Sequence, residues 1–74
     1  MLYKRATELI LLLISNEEFT TVRELSNYFN ISEKTIRNDL DVIDDYLAKN
    51  GFHKLIRKPK LGVKLSGGIN ERNM

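Results

Sequence analysis

The sequence predicts a mainly α-helical domain closed by a small β-hairpin, and three observations carry that expectation. Apolar residues recur at helical spacing in three segments, near 2–15, 22–29 and 33–50. The second and third of these open on the capping residues Thr21 and Ser32. After Asn50-Gly51 the apolar period changes to two, in short runs on either side of Lys58-Pro59-Lys60.

A chain of 74 residues is enough for one domain. A domain of that size buries only about 60% of its unfolded surface, so its core is thin. A chain that is 42% hydrophobic and 30% charged suits a soluble globular protein. It has no cysteine, which excludes a disulfide framework and a thiolate metal site, and its single histidine is His53. The apolar run Leu9–Ile14 is too short to span a bilayer and lacks the flanks of a secretory leader. A cytoplasmic protein is expected, with no cofactor and no membrane partner. The net charge of +2 says little, but its distribution says more. Lys54, Arg57, Lys58, Lys60 and Lys64 fall in a stretch with no acid, and Asp39, Asp41, Asp44 and Asp45 in a stretch with no base. Such segregation gives one edge suited to an anionic partner.

The first helix is expected over Leu2–Ser15, with Leu2, Ala6, Leu9, Ile10 and Leu13 facing the core. Leu11 and Leu12 point away from that stripe. The helix therefore either is wrapped by other elements or meets a second chain. Asn16-Glu17-Glu18 reads as a turn, and Phe19 anchors its exit in a very short strand. Thr21-Val22-Arg23-Glu24 matches the capping box and starts a second helix, Val22–Phe29, with Val22, Leu25 and Phe29 inward. Ser26 is small where two helices must cross closely. Asn30 tolerates the left-handed conformation that a tight interhelical turn needs, and Ile31 returns to the core.

Ser32 caps the third helix, where Ile36, Leu40, Ile43 and Leu47 make one apolar stripe. Opposite it lie Lys34 and Asn38, flanked by Thr35 and Arg37, all able to bond base edges and phosphates. The positive end of the helix dipole favours phosphate on the same side. Asp39, Asp41, Asp44 and Asp45 follow. An unpaired carboxylate is repelled by phosphate, so only the first two turns are expected to approach a duplex. An ordinary amphipathic helix with a solvated polar face stays open as the alternative.

Asn50-Gly51 stops the helix. Strands are expected over Phe52–Arg57 and Leu61–Leu65, joined by a basic tip at which Pro59 removes a donor and fixes φ. Three helices plus a two-stranded wing make a winged helix-turn-helix, in which Lys58 and Lys60 can reach the sugar-phosphate backbone or a minor groove. Solvated tip charges are the plainer alternative. Residues 1–66 would form this domain, and 67–74 a linker or frayed end toward downstream domains.

The run Ile31-Ser32-Glu33-Lys34-Thr35-Ile36-Arg37-Asn38-Asp39-Leu40, with Leu47, Gly51 and Leu61-Gly62-Val63-Lys64-Leu65-Ser66-Gly67, resembles a known pattern. It is similar to the N-terminal winged-helix domains of bacterial multidomain regulators controlled by the phosphotransferase system, the BglG-type or mannitol-operon-activator type. The resemblance covers most of residues 3–67. Its most specific parts are Ser-x-x-Thr-Ile-Arg-x-Asp and the glycine-bounded run that ends the wing. Gly62-Val63 stands where many relatives have Gly-Tyr. Biotin-repressor-type and DeoR-type winged helices share much of the first motif. The resemblance implies transcription regulation, with Thr35, Arg37 and Asn38 in the groove, and a longer parent protein whose later domains receive the sugar-transport signal through phosphorylated histidines. His53, in the wing, does not take that role. Antiterminators of similar name bind RNA through a different, β-rich domain.

The expected DNA-binding residues are Ser32, Lys34, Thr35, Arg37, Asn38, Arg57, Lys58 and Lys60, with no catalytic residue and no metal ligand. Arg37 suits a guanine contact or a phosphate clamp, and Asn38 suits adenine. Ser32 and Thr21 are expected mainly to cap. Asp39 is expected to pair with a nearby base such as Arg23 or Lys34. A homodimer in the full-length protein, through Leu11 and Leu12, would let two modules read half-sites about 34 Å apart. Two other classes compete. A protein-interaction winged helix would offer its wing to an acidic surface. An RNA module would expose aromatics for stacking, whereas Tyr3, Tyr28 and Tyr46 are expected at the edge of the core. An enzyme is not expected: Asp44 and Asp45 point about 100° apart on a helix, with no nucleophile beside them.

Overall fold

Three helices and a hairpin follow one another along the chain: α1 (Lys4–Ser15), α2 (Val22–Phe29), α3 (Glu33–Lys49), β1 (Ile56–Lys58) and β2 (Gly62–Lys64). The computed structural model describes residues 2–65. The C-terminal segment expected as a linker lies outside the described residues. Helix α3 is the scaffold, with α1 and α2 packed against it. Ala6, Leu9 and Leu13 of α1, Leu25 of α2 and Ile36, Leu40, Ile43 and Leu47 of α3 are buried together with Leu55 and Val63. Each leucine, isoleucine or valine among them contributes about 1.5–3 kcal/mol on leaving water.

The helix ends follow the capping chemistry. The Thr21 hydroxyl accepts from the Glu24 amide (3.0 Å) while the Glu24 carboxylate accepts from the Thr21 amide (2.9 Å). Asn30 sits at φ 58°, ψ 46°, the left-handed turn between α2 and α3. Ser26 is small because its hydroxyl must reach the Ile31 carbonyl across that turn, whose Ile31 amide donates to the Ser26 carbonyl (3.1 Å). Ser32 caps α3 through the Thr35 amide (3.1 Å), and Gly51, at φ +80°, ends it.

Four expectations change. Helix α1 starts at Lys4 rather than Leu2, because extended Tyr3 offers no side-chain cap. Leu2 still packs against the core. The short strand expected at Phe19 forms one residue later, where Thr20 and Val63 exchange both backbone hydrogen bonds (2.9 and 2.8 Å). The wing strands are shorter than expected, covering Ile56–Lys58 and Gly62–Lys64. The Phe52 amide is taken by the Leu47 carbonyl (2.9 Å) and the Leu55 amide by Asp44 (2.8 Å), so neither enters a cross-strand ladder. Finally, Leu12 is half-buried against the core, whereas Leu11 stays exposed.

The wing is antiparallel, with Ile56 opposite Lys64, Arg57 opposite Val63 and Lys58 opposite Gly62. Lys60 takes φ +72° in the loop that joins the strands. Gly62 has φ +106°, and a Cβ there would lie 2.1 Å from the Thr20 carbonyl oxygen. Only glycine lets the wing approach the chain before α2 this closely.

Candidate nucleic-acid interface

The N-terminal turns of α3 present Lys34, Arg37 and Asn38 to solvent, with Thr35 half-buried beside them. Arg37 is tethered only by an exposed pair to Glu33 at 3.3 Å, a contact of about 0.2–0.5 kcal/mol that a phosphate or base can displace. The Ser32 and Thr35 hydroxyls lie 2.9 Å apart and bond each other, so both serve the helix start in this structure. Lys58 and Lys60 are exposed at the wing tip and form no ion pair among the described residues.

The fold brings these two basic sets together. A groove of about 390 Å³ is lined by Arg37 of α3, by Arg57, Lys58 and Lys60 of the wing, and by Thr21 at the start of α2. Among the described residues no acid and no aromatic side chain lines it. Arg57 lines the groove but is also engaged by α3. Its Nη1 donates to Asp41 (2.8 Å) and Asp44 (3.1 Å), which draws the guanidinium onto α3 rather than outward. Those hydrogen bonds to two carboxylates hold its pKa above the usual arginine value despite partial burial.

The acidic half of α3 is partly neutralised internally. Asp45 pairs with Lys49 (3.1 Å), and Asp41 and Asp44 share Arg57. Asp39 pairs with neither Arg23 nor Lys34. It is 1% exposed and accepts from Arg5 Nε (2.6 Å), Arg5 Nη2 (3.0 Å) and the Tyr3 hydroxyl. Position 39 lies three residues after Ile36, on the buried side of α3, where Tyr3 and Arg5 at the start of α1 reach it. Burial alone raises a carboxyl pKa, but the hydrogen bonds from Arg5 and Tyr3 and the charge of Arg5 outweigh it, and Asp39 titrates below its ordinary value. Its place within the apolar spacing was the one sequence signal for a buried acid. Of the tyrosines, Tyr46 packs at the core edge as expected. Tyr3 and Tyr28 are exposed (44% and 68%), and Tyr28 stands edge-on to Phe29 on α2.

A second helix projecting a polar N-terminal face beside a basic wing defines a DNA-binding winged helix-turn-helix. The family model for the DeoR-like helix-turn-helix domain matches residues 7–57. The chain therefore belongs to the DeoR-like helix-turn-helix family of DNA-binding regulator domains. Among similar proteins, "Transcriptional regulator ManR" of Bacillus subtilis (strain 168) is 47% identical over 69 residues, covering 92% of this chain and 11% of ManR. "Capsule synthesis positive regulator AcpA" of Bacillus anthracis is 40% identical over 62 residues, covering 84% of this chain and 12% of AcpA. The chain thus spans about an eighth or less of the length of the curated relatives it matches. No solved structure gives a significant match. Among the described residues no helix is long and apolar enough to cross a membrane.

Proposed function

We propose that this domain is the sequence-specific DNA reader of a longer bacterial transcription regulator under phosphotransferase-system control, acting in the cytoplasm on sugar-uptake genes. Lys34, Thr35, Arg37 and Asn38 enter the major groove, and Ser32 holds the helix start against the phosphates. Lys58 and Lys60 grip the backbone or the minor groove. The observation that carries this reading is the shared groove, where Arg37 from α3 and Lys58 and Lys60 from the wing line one acid-free surface. Among the described residues that surface holds no carboxylate or histidine for acid–base chemistry, which supports a binding role rather than an enzymatic one. The lack of aromatic residues there favours a duplex over single-stranded RNA.

Two copies pair in the full-length protein. Leu11 is 58% exposed and lines a recess with Leu2, Ile10 and Tyr46 that contains no charged side chain, which suits a self-complementary contact. Leu12, half-buried, lines with Leu11 the adjoining recess that Tyr28 and Phe29 complete.

The test is fluorescence anisotropy of the chain on a mixed-sequence duplex across a salt series. About five to seven phosphate contacts give a log–log slope of roughly −4 to −6. An Arg37→Ala, Lys58→Ala double variant is expected to bind at least about tenfold more weakly, given about 1 kcal/mol or more per lost contact. Unchanged binding by that variant would place the DNA on another face. A wing that instead docks an acidic protein would leave the chain without salt-dependent duplex binding.

A further inference from the structure

Helix α3 is tied to the wing by one carboxylate that does two jobs. Asp44 Oδ1 accepts the Leu55 amide at 2.8 Å, and its Oδ2 accepts Arg57 Nη1 at 3.1 Å. The same Nη1 also donates to Asp41 at 2.8 Å. The Asp44 side chain is only 15% exposed, whereas that of Asp41 is 69% exposed. Leu55 is buried, and Arg57 stands opposite buried Val63 in the ladder. Lys58 follows at once, and Lys60 lies two residues further on. Among the described residues the last side-chain hydrogen bonds to α3 before the tip are therefore those of Arg57.

We propose that Asp44, helped by Asp41, is a positioning residue for DNA binding: it sets the angle of the wing to α3 through Leu55 and Arg57, and so places Lys58 and Lys60. Arg57 then acts through the wing rather than by touching phosphate. This rests on the DNA-binding reading and goes beyond it, because it inverts the usual sign of an acid near DNA. Removing a carboxylate close to a phosphate backbone ordinarily tightens binding. Here removal of Asp44 frees the hairpin root, and ordering the tip on DNA then costs conformational entropy.

The neighbouring Asp45 supplies the control. It carries the same charge one residue away, but it pairs only with exposed Lys49 on its own helix. The experiment measures binding of the 74-residue chain to a mixed-sequence duplex at low salt. Asp44→Ala is expected to weaken binding about fivefold or more, as coupled contacts allow. Asp45→Ala is expected to bind no more weakly than wild type. Arg57→Lys keeps the charge that a phosphate contact needs but replaces the rigidly oriented Nη1, which holds Asp41 and Asp44 together, by a flexible and more strongly hydrated ammonium, and it is expected to bind more weakly. The Asp44→Ala, Arg57→Ala double variant should lose less than the product of the two single losses, since the two residues share one contact while Asp44 alone also holds the Leu55 amide. Exchange of the Leu55 amide should speed up in Asp44→Ala while the α3 amides near Leu40 and Ile43 keep their protection.

Asp44→Ala binding as tightly as Asp45→Ala overturns the proposal, as do losses at 44 and 57 that multiply in full. If Asp44→Ala does not fold, wild-type affinity in Arg57→Lys overturns it. Absence of wild-type binding even at low salt sinks the DNA reading itself, and the Leu55 exchange rate still judges the anchor.

Discussion

Arg5→Ala should destabilise this domain at least as much as Asp39→Ala, although Arg5 is the more exposed partner. The Asp39 carboxylate is 2% exposed and the Arg5 side chain 38%. Removing Asp39 lets the Arg5 guanidinium return to water, so the loss is limited to the hydrogen bonds, about 2 kcal/mol after the exposure of Arg5 is discounted. Removing Arg5 leaves a buried carboxylate with Tyr3 as its one remaining side-chain donor. Breaking a fully buried pair in this way costs about 3–5 kcal/mol, and the lower end applies at a site open on one side. In a domain of this size 1 kcal/mol moves Tm by about 4–8 °C, so Asp39→Ala should lose about 8–16 °C and Arg5→Ala about 12 °C or more. The double variant should fall well short of the sum, because each change removes the same contact. Thermal denaturation followed by far-ultraviolet circular dichroism reads all three. An Arg5→Ala domain that melts within about 2 °C of wild type, or fully additive losses, would refute the account of the clamp.

Acid should find the same clamp. Asp39 titrates below its ordinary value of 3.8, so the folded state favours the ionised form. Its contribution is complete above that ordinary value and is lost as pH falls through the lower folded value. Stability measured between pH 5 and pH 2 should decline less steeply in Asp39→Asn than in wild type, and equal slopes would count against the pairing. Gly62→Ala should cost about 2–3 kcal/mol, because its Cβ meets the Thr20 backbone and φ is positive. Loss of the Val63 amide protection by hydrogen exchange would accompany it, and an unperturbed Tm would contradict the close approach. Ser32→Ala should cost about 1 kcal/mol of stability through the lost cap while leaving the salt slope of DNA binding unchanged. A fall in low-salt affinity of about fivefold or more would instead make the Ser32 hydroxyl a phosphate contact, since loss of an uncharged donor leaves the slope itself unchanged. Leu11→Glu should shift the full-length regulator toward monomer in sedimentation with little change in the Tm of this domain, since Leu11 is exposed. A stable dimer in that variant would move the pairing surface elsewhere.

Local rules carried the helical part of the fold. Helix α2 runs over the expected residues because its limits are written in neighbouring side chains, with Thr21 and Glu24 at one end and Asn30 at the other. The start and stop of α3 are equally local, as Ser32 and Gly51 act within one turn of themselves. The polar face of α3 was legible for the same reason. Once 36, 40, 43 and 47 point inward, geometry leaves Lys34, Arg37 and Asn38 outside.

Tertiary structure decided what depends on residues distant in sequence. Nothing local marks Asp39 as the partner of Arg5, 34 positions away, or Arg57 as the partner of Asp41 and Asp44. Charge runs read along the chain predict free acids and free bases, but packing the wing on α3 cancels part of each. The strand at Phe52–Leu55 failed to form because a side chain and a helix end claimed its amides first. The glycine in the wing looked like a motif letter until the backbone of Thr20 stood in the way of any Cβ. Secondary structure is governed by interactions over a few residues, which a sequence displays directly. Partner choice among charged side chains is governed by which of them the folded chain brings within hydrogen-bond reach and out of water, and this only the folded structure decides.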